Sequence, residues 1–232
     1  MKDVPGVHSK LNVQVVGGEP VPPDAKRLHE EARLAGGCGD YDRALELLNR
    51  AHQLAPTWPY PLYDAAFTHL LQGDSVKAEA LYAEVDRMAP RGFFTCKTSL
   101  DCLRRERQGE VPPGFCKAFA LLESVDKTTK RRALEGIVAK WPTLAAAWWQ
   151  LVMILEDNDA RFHAIEKGLG ANPDAETKGM LLINKAFTLA RRGDKEIAAR
   201  ILRELADDPD CTASTEALAK FSLARVVEGQ AG

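Results

Sequence analysis

A spacing of 34 residues recurs in the first half of the chain, where Gly39-Asp40, Ala44, Leu48 and Pro56 return as Gly73-Asp74, Ala78, Tyr82 and Pro90. A fixed period limits the fold more than any composition does, because each period has to be one supersecondary unit that buries its apolar face against the next. Its residues describe two helices. The Gly-Asp pair ends the first helix and caps the second, the small Ala allows the helices to approach closely, and Pro ends the unit.

Length, landmarks and order resemble the tetratricopeptide repeat (TPR) family, most closely over residues 25–90. Further along, Trp148 and Leu151 match the family's Trp-x-x-Leu opening after Pro142, and the unit they start closes at Pro173. Arg192-Gly193-Asp194, Ala198, Leu202, Leu205 and Pro209 repeat the pattern once more. The resemblance implies an all-α fold, a right-handed superhelical solenoid of antiparallel helix pairs with a C-terminal capping helix.

The organisation expected from these landmarks has five parts. Residues 1–24, rich in Pro and Gly around an alternating run at 11–16, form an extended or disordered N-terminal segment. Two regular units occupy 25–90, an irregular helical region 91–142, two altered units 143–209, and a cap with its tail 210–232. In the irregular region the apolar spacing predicts helices at 95–107, 114–124 and 127–140, with the Gly- and Pro-rich stretch 109–114 as a long turn. Phe115, Phe119 and Leu122 share one face there, and Leu134, Ile137, Val138 and Trp141 another. A last amphipathic helix over 213–227 carries a stripe of Leu218, Phe221, Ala224 and Val227.

Composition removes several classes of function. Thirty-one Lys plus Arg against 33 Asp plus Glu leave a charge of -2, with no large positive field for nucleic acid or an anionic membrane. The basic runs at 103–107 and 127–132 have acidic neighbours and read as solvated helix faces. The longest apolar stretch, Leu144 to Leu155, is 12 residues with Gln150 inside it, a buried core helix and not a membrane span. Five cysteines without a C-x-x-C pair suggest neither a zinc site nor a full disulfide framework. No signal peptide is recognisable, and a reducing, cytoplasmic location is expected.

Catalytic chemistry leaves no trace in the spacing. The five histidines form no H-x-x-x-H pair, none joins a cysteine in a nucleophile motif, and 36–40 lacks the Lys-Ser/Thr of a phosphate loop. His69 falls on a buried landmark of its helix and reads as a core histidine, and Cys38 sits in an open glycine turn. The expectation is a chain that is not an enzyme and holds no cofactor or metal.

In the family, the first helix of each unit lines the inner wall of the superhelix. Carried onto this sequence, the resemblance places Lys26, His29 and Arg33 there from the first unit and Tyr60, Tyr63 and Phe67 from the second. Trp149, Met153, Ile183 and Phe187 follow from the altered units. This set describes a concave groove with aromatic anchors and a basic end, suited to a segment with apolar side chains and an acidic group. The same residues equally describe a packed core. The family's clamp for acidic C-terminal tails is not matched, because His29 and Arg33 replace its Lys and Asn and Asp64 stands at its next Asn position. The function implied is a protein-protein interaction scaffold or adaptor holding a peptide or protein partner, or an accessory subunit or chaperone-like regulator. A second copy of the chain is among the partners such a surface allows, while nucleic acid and membrane are not.

Overall fold

The computed structural model describes residues 20–227, so the alternating run at 11–16 lies outside the described residues. Twelve α-helices and no strand are present among them. The first four are α1 (Pro23–Gly37), α2 (Tyr41–Leu54), α3 (Tyr60–Gln72) and α4 (Ser75–Met88). The irregular region supplies α5 (Cys96–Gln108), α6 (Phe115–Ala120) and α7 (Lys127–Lys140). The remainder are α8 (Ala145–Ile154), α9 (Asn158–Gly170), α10 (Ala175–Arg191), α11 (Lys195–Asp207) and α12 (Ala213–Val227).

The 34-residue signature works at the turns. Gly39 and Gly73 take the left-handed conformation at φ 82° and 87°, which a side chain would oppose. Asp40 and Asp74 then accept from the amides of Arg43 and Lys77 at 3.2 and 3.1 Å, capping α2 and α4. Asp126, Asp157 and Asp174 cap α7, α9 and α10 in the same way. The landmark residues go to the helix-helix seams: Ala44, Ala78 and Ala198 are buried, as are Leu48, Tyr82 and Leu202. Pairs α1/α2, α3/α4, α8/α9 and α10/α11 pack along these seams, and α12 covers the last pair. The fold is therefore the all-α stack of helix pairs with a terminal cap that the sequence implies.

Three local differences have physical causes. The first helix begins at Pro23, inside the segment read as non-helical, because proline fits the first helical position without losing a needed hydrogen bond. The helix expected over 114–124 ends at Ala120 and tightens into a single 3₁₀ turn at Leu121–Ser124. Phe115 stacks on Phe119 and meets Trp141 edge-on at 5.1 Å, so the two apolar faces of this region pack together. In the cap, the face against the core is Thr215, Ala219, Ser222 and Val226, whereas Phe221 is 45% exposed. Close packing selects the small residues: a Cβ at Gly179 would stand 2.3 Å from Thr215 Cγ2, an approach of α10 to α12 that Leu or Phe would prevent.

The stack also closes on itself. The Ala213 amide donates to the Arg91 carbonyl at 2.8 Å, and Arg91 pairs with Glu216, tying the turn after α4 to the start of α12. Beside them, Thr98 on α5 reaches Thr177 on α10 at 3.1 Å. These bonds join segments more than seventy residues apart and draw the inner face of the stack into a concavity.

Gly179→Ala is expected to destabilise the chain by about 1–3 kcal/mol through overpacking against Thr215. Thermal unfolding followed by circular dichroism checks this, and an unchanged midpoint would refute the close α10/α12 contact.

Candidate functional site

The concavity contains two adjoining cavities of about 470 and 560 Å³. Trp149 and Met153 of α8 border both and form the partition. Tyr60, Ile183 and Phe187 line the first cavity, between α8, α10 and α12, while Tyr63 and Phe67 line the second, between α3, α5 and α6. Seven of the residues selected from sequence are thus brought to one surface.

The basic residues of α1 are not. Lys26 and Arg33 are exposed and border neither cavity. His29 is buried, with Nε2 2.8 Å from Asp64 Oδ2 and its ring edge-on to Trp58 at 5.0 Å. The expected basic end is therefore occupied by an internal contact, and the Asp64 that departs from the acidic-tail clamp has His29 as its partner.

Two aromatic residues escaped the sequence reading. Phe93 and Phe94 sit in the turn after α4, on no helical face, so periodicity gives them no role. Phe93 is buried and touches Tyr60 and Tyr63 edge-on at 4.9 and 5.5 Å. Phe94 lines the first cavity, is 55% exposed, and has φ of 47°. A bulky residue held at positive φ costs on the order of 1–3 kcal/mol and persists only where neighbours impose it. The Gly-Phe-Phe run after Pro90 was the available signal, since paired aromatics in a turn have no core periodicity to satisfy.

Beneath the first cavity lies a buried polar knot. Glu176 Oε2 accepts from the Thr98 hydroxyl at 3.2 Å and lies 3.4 Å from the Thr98 amide nitrogen, while Asp174 caps α10 and accepts from the Thr177 hydroxyl. Burial, and then the neighbouring Asp174 carboxylate, push the Glu176 carboxyl up to about 8. Burial raises Asp174 as well. Asn184 is fixed by an Arg161 guanidinium donor at 3.1 Å and by its own bond to the Met180 carbonyl at 2.8 Å.

The second cavity is bordered by the Cys102 and Cys116 thiols and the Tyr63 phenol. Burial pushes Tyr63 up to about 12 although its hydroxyl meets Thr95 Oγ1 at 2.7 Å. The buried Cys102 and Cys116 sulfurs are 2.7 Å apart, and that contact together with burial raises the Cys116 thiol. A phenol and a thiol held protonated in this way, as Tyr63 and Cys116 are, make poor nucleophiles at neutral pH. Cys38 is exposed in its turn. Half-buried His69 borders a smaller cavity between α2, α3 and α4, with its pKa lowered by burial, which disfavours the protonated ring. Among the described residues no group of His, Cys, Asp or Glu could hold a metal ion, and no helix is long and apolar enough to cross a membrane.

Comparison with known proteins places the repeat. Residues 39–91 match the family model described as tetratricopeptide repeat. Among solved structures, residues 41 to the end of MamA from Desulfovibrio magneticus RS-1 are similar at 19% identity, over 80% of this chain and 94% of that one, with a TM-score of 0.37. YrrB, described as a TPR protein with an unusual peptide-binding site, is 17% identical over 86% and 91%, with a TM-score of 0.38. The thermophilic TPR protein TTC0263 of Thermus thermophilus is 16% identical over 88% and 99%, with a TM-score of 0.38. No curated protein matches the sequence.

The raised carboxyl has a signed consequence for stability. Glu176 takes up its proton more readily folded than unfolded, so its contribution is fully present at low pH and is lost as pH rises towards about 8. Glu176→Gln is expected to remove that loss. The difference in melting temperature, variant minus wild type, should grow by several degrees between mildly acidic and mildly alkaline buffer; a difference independent of pH would contradict the assignment.

Proposed function

We propose that this chain, whose residues 39–91 are tetratricopeptide repeat sequence, is a non-catalytic scaffold or adaptor that holds a peptide or protein segment along its inner face. Repeats of this type commonly serve protein-protein interaction. The observation that carries the reading is the pair of adjoining apolar cavities meeting at Trp149 and Met153. Large apolar side chains remain open around them: Phe67, Phe94, Met153 and Phe221 are 39%, 55%, 43% and 45% exposed. Exposed apolar residues gathered in one concavity mark an interaction surface far more often than the same residues scattered singly.

Shape and energetics favour an extended or helical segment over a flat protein face. A segment laid across the partition inserts side chains into both cavities, which is how a few buried anchors supply most of the affinity of a peptide interface. The walls are largely pre-formed by ring contacts among Tyr60, Tyr63, Phe93 and Phe94, so little ordering cost falls on the receptor. Residues Tyr60, Tyr63, Phe67, Trp149, Met153, Ile183 and Phe187 serve as the contact surface in this reading. Lys26, His29 and Arg33 lie away from the two cavities and contribute at most to its rim.

Met153→Glu and Phe221→Glu test the proposal, since both side chains are already open to solvent and tolerate charge without loss of the core. Each is expected to weaken capture of bound partners at least about tenfold with the helical circular dichroism unchanged. Partners captured equally well by both variants would move the binding surface to the convex side or the termini.

A further inference from the structure

The corner between α5 and α6 lies where the 34-residue period fails and no regular helix pair supplies a seam. α6 has six residues, too few to hold as a helix alone, and the turn that joins it to α5 places Gly109 and Gly114 at φ of 77° and 80°. Its start is fastened to α5 at one residue. The Cys116 amide donates to Glu106 Oε2 at 2.8 Å, and the Cys116 sulfur lies 2.7 Å from the Cys102 sulfur. Both cysteines are buried, at 4% exposed for Cys102 and 3% for Cys116, yet both line the second cavity of about 560 Å³, which gives a small molecule a route to them. The remaining cysteines are placed differently. Cys96 and Cys211 donate to the Tyr82 and Thr212 carbonyls at 3.1 and 3.5 Å, and Cys38 is exposed in the turn after α1.

We propose that Cys102 and Cys116 are a reversible dithiol/disulfide pair, a modification site that a low-molecular-weight disulfide oxidises from the second cavity. The inference does not rest on the groove reading. A disulfide bond of about 2.0 Å requires the two sulfurs to close by roughly 0.6 Å, a side-chain rotation that leaves both helices in place. The bond spans fourteen residues of sequence around the turn at 109–114 and ties α6 covalently to α5. It thereby fixes one wall of the second cavity, to which Cys102, Cys116 and Phe119 all contribute.

The reaction balances in two exchanges. Cys116 holds its proton, chiefly through its contact with Cys102 and then through burial, so the Cys102 thiolate makes the first attack. A mixed disulfide forms on Cys102, and one small thiol leaves with the proton that Cys102 gave up. With Cys102 in that bond, the thiol contact that held the Cys116 proton is gone. Cys116 then attacks the Cys102 sulfur, the bond to the small group breaks, and a second small thiol leaves with the Cys116 proton. Two protein thiols are oxidised, one small disulfide is reduced to two small thiols, and no other reactant is needed.

The full chain carrying Cys38→Ser, which lacks the exposed thiol, is equilibrated in buffers of 2-mercaptoethanol and its disulfide at several ratios. Acid-quenched samples are alkylated, digested and mapped by mass spectrometry. The expected result is a linked Cys102-Cys116 peptide that forms in the oxidising buffers, disappears in the reducing ones, and retains no mercaptoethanol. The oxidised chain should melt about 5–10 °C above the reduced chain, the shift expected for closing a loop of this length. Cys116→Ser on the same background should trap mercaptoethanol on Cys102, because the second sulfur is absent. The first two readouts need no buried substitution, so poor folding of that variant leaves them intact. Lasting mercaptoethanol adducts on the Cys38→Ser chain, a link to Cys96 or Cys211, or free Cys102 and Cys116 thiols in a buffer that fully modifies wild-type Cys38 would each overturn the proposal.

Discussion

The contact of Thr98 with Glu176 and Thr177 is the constraint on which the shape of the inner face depends. It joins α5 to α10 across 78 and 79 residues of sequence, next to the Arg91 and Glu216 pair that joins the turn after α4 to α12. Without these bridges the helix pairs would form an open stack whose aromatic faces meet water. With them, Tyr60, Phe93 and Phe94 from one side approach Trp149, Met153 and Phe187 from the other around one cavity. Closure of this kind demands small residues at the crossing, and Gly179 and Thr215 supply them.

Burying a carboxylate to make such a bridge is costly unless it is paired, and Glu176 is held by hydroxyl and amide groups with no cation. Its raised pKa and the left-handed backbone of Phe94 are two local strains on the lining of the same cavity. Both are features a purely structural core would be expected to lose, because an apolar replacement at the acid and a glycine at the turn are more stable.

Much of the fold was legible because its determinants are local. The Gly-Asp turns, the buried alanines at the seams, and the helices over 96–108, 127–140 and 213–227 follow from residues within a turn or two of each other. The inner-wall residues Tyr60, Tyr63, Phe67, Trp149, Met153, Ile183 and Phe187 came from the family resemblance, and in the structure they line the two cavities. What sequence could not reveal depends on closure. An acid at the second position of a helix, as Glu176 is in α10, ordinarily reads as a solvated complement to the helix dipole, and only the approach of α5 buries it. His29 reads as part of a basic wall until the fold brings Asp64 within 2.8 Å of it. The inward face of α12 could not be chosen between its apolar stripe and its small residues without knowing how near α10 comes.

Methionine methyl resonances report most directly on whether the inner face is the surface that binds. Met153 and Met180 line the first cavity and Met88 on α4 borders neither cavity, so the chain carries both probe and control. With the methionine methyl groups carbon-13 labelled, titration with a bound segment is predicted to shift Met153 and Met180 together and leave Met88 in place. Saturable binding that leaves the Met153 and Met180 signals unmoved would contradict the account.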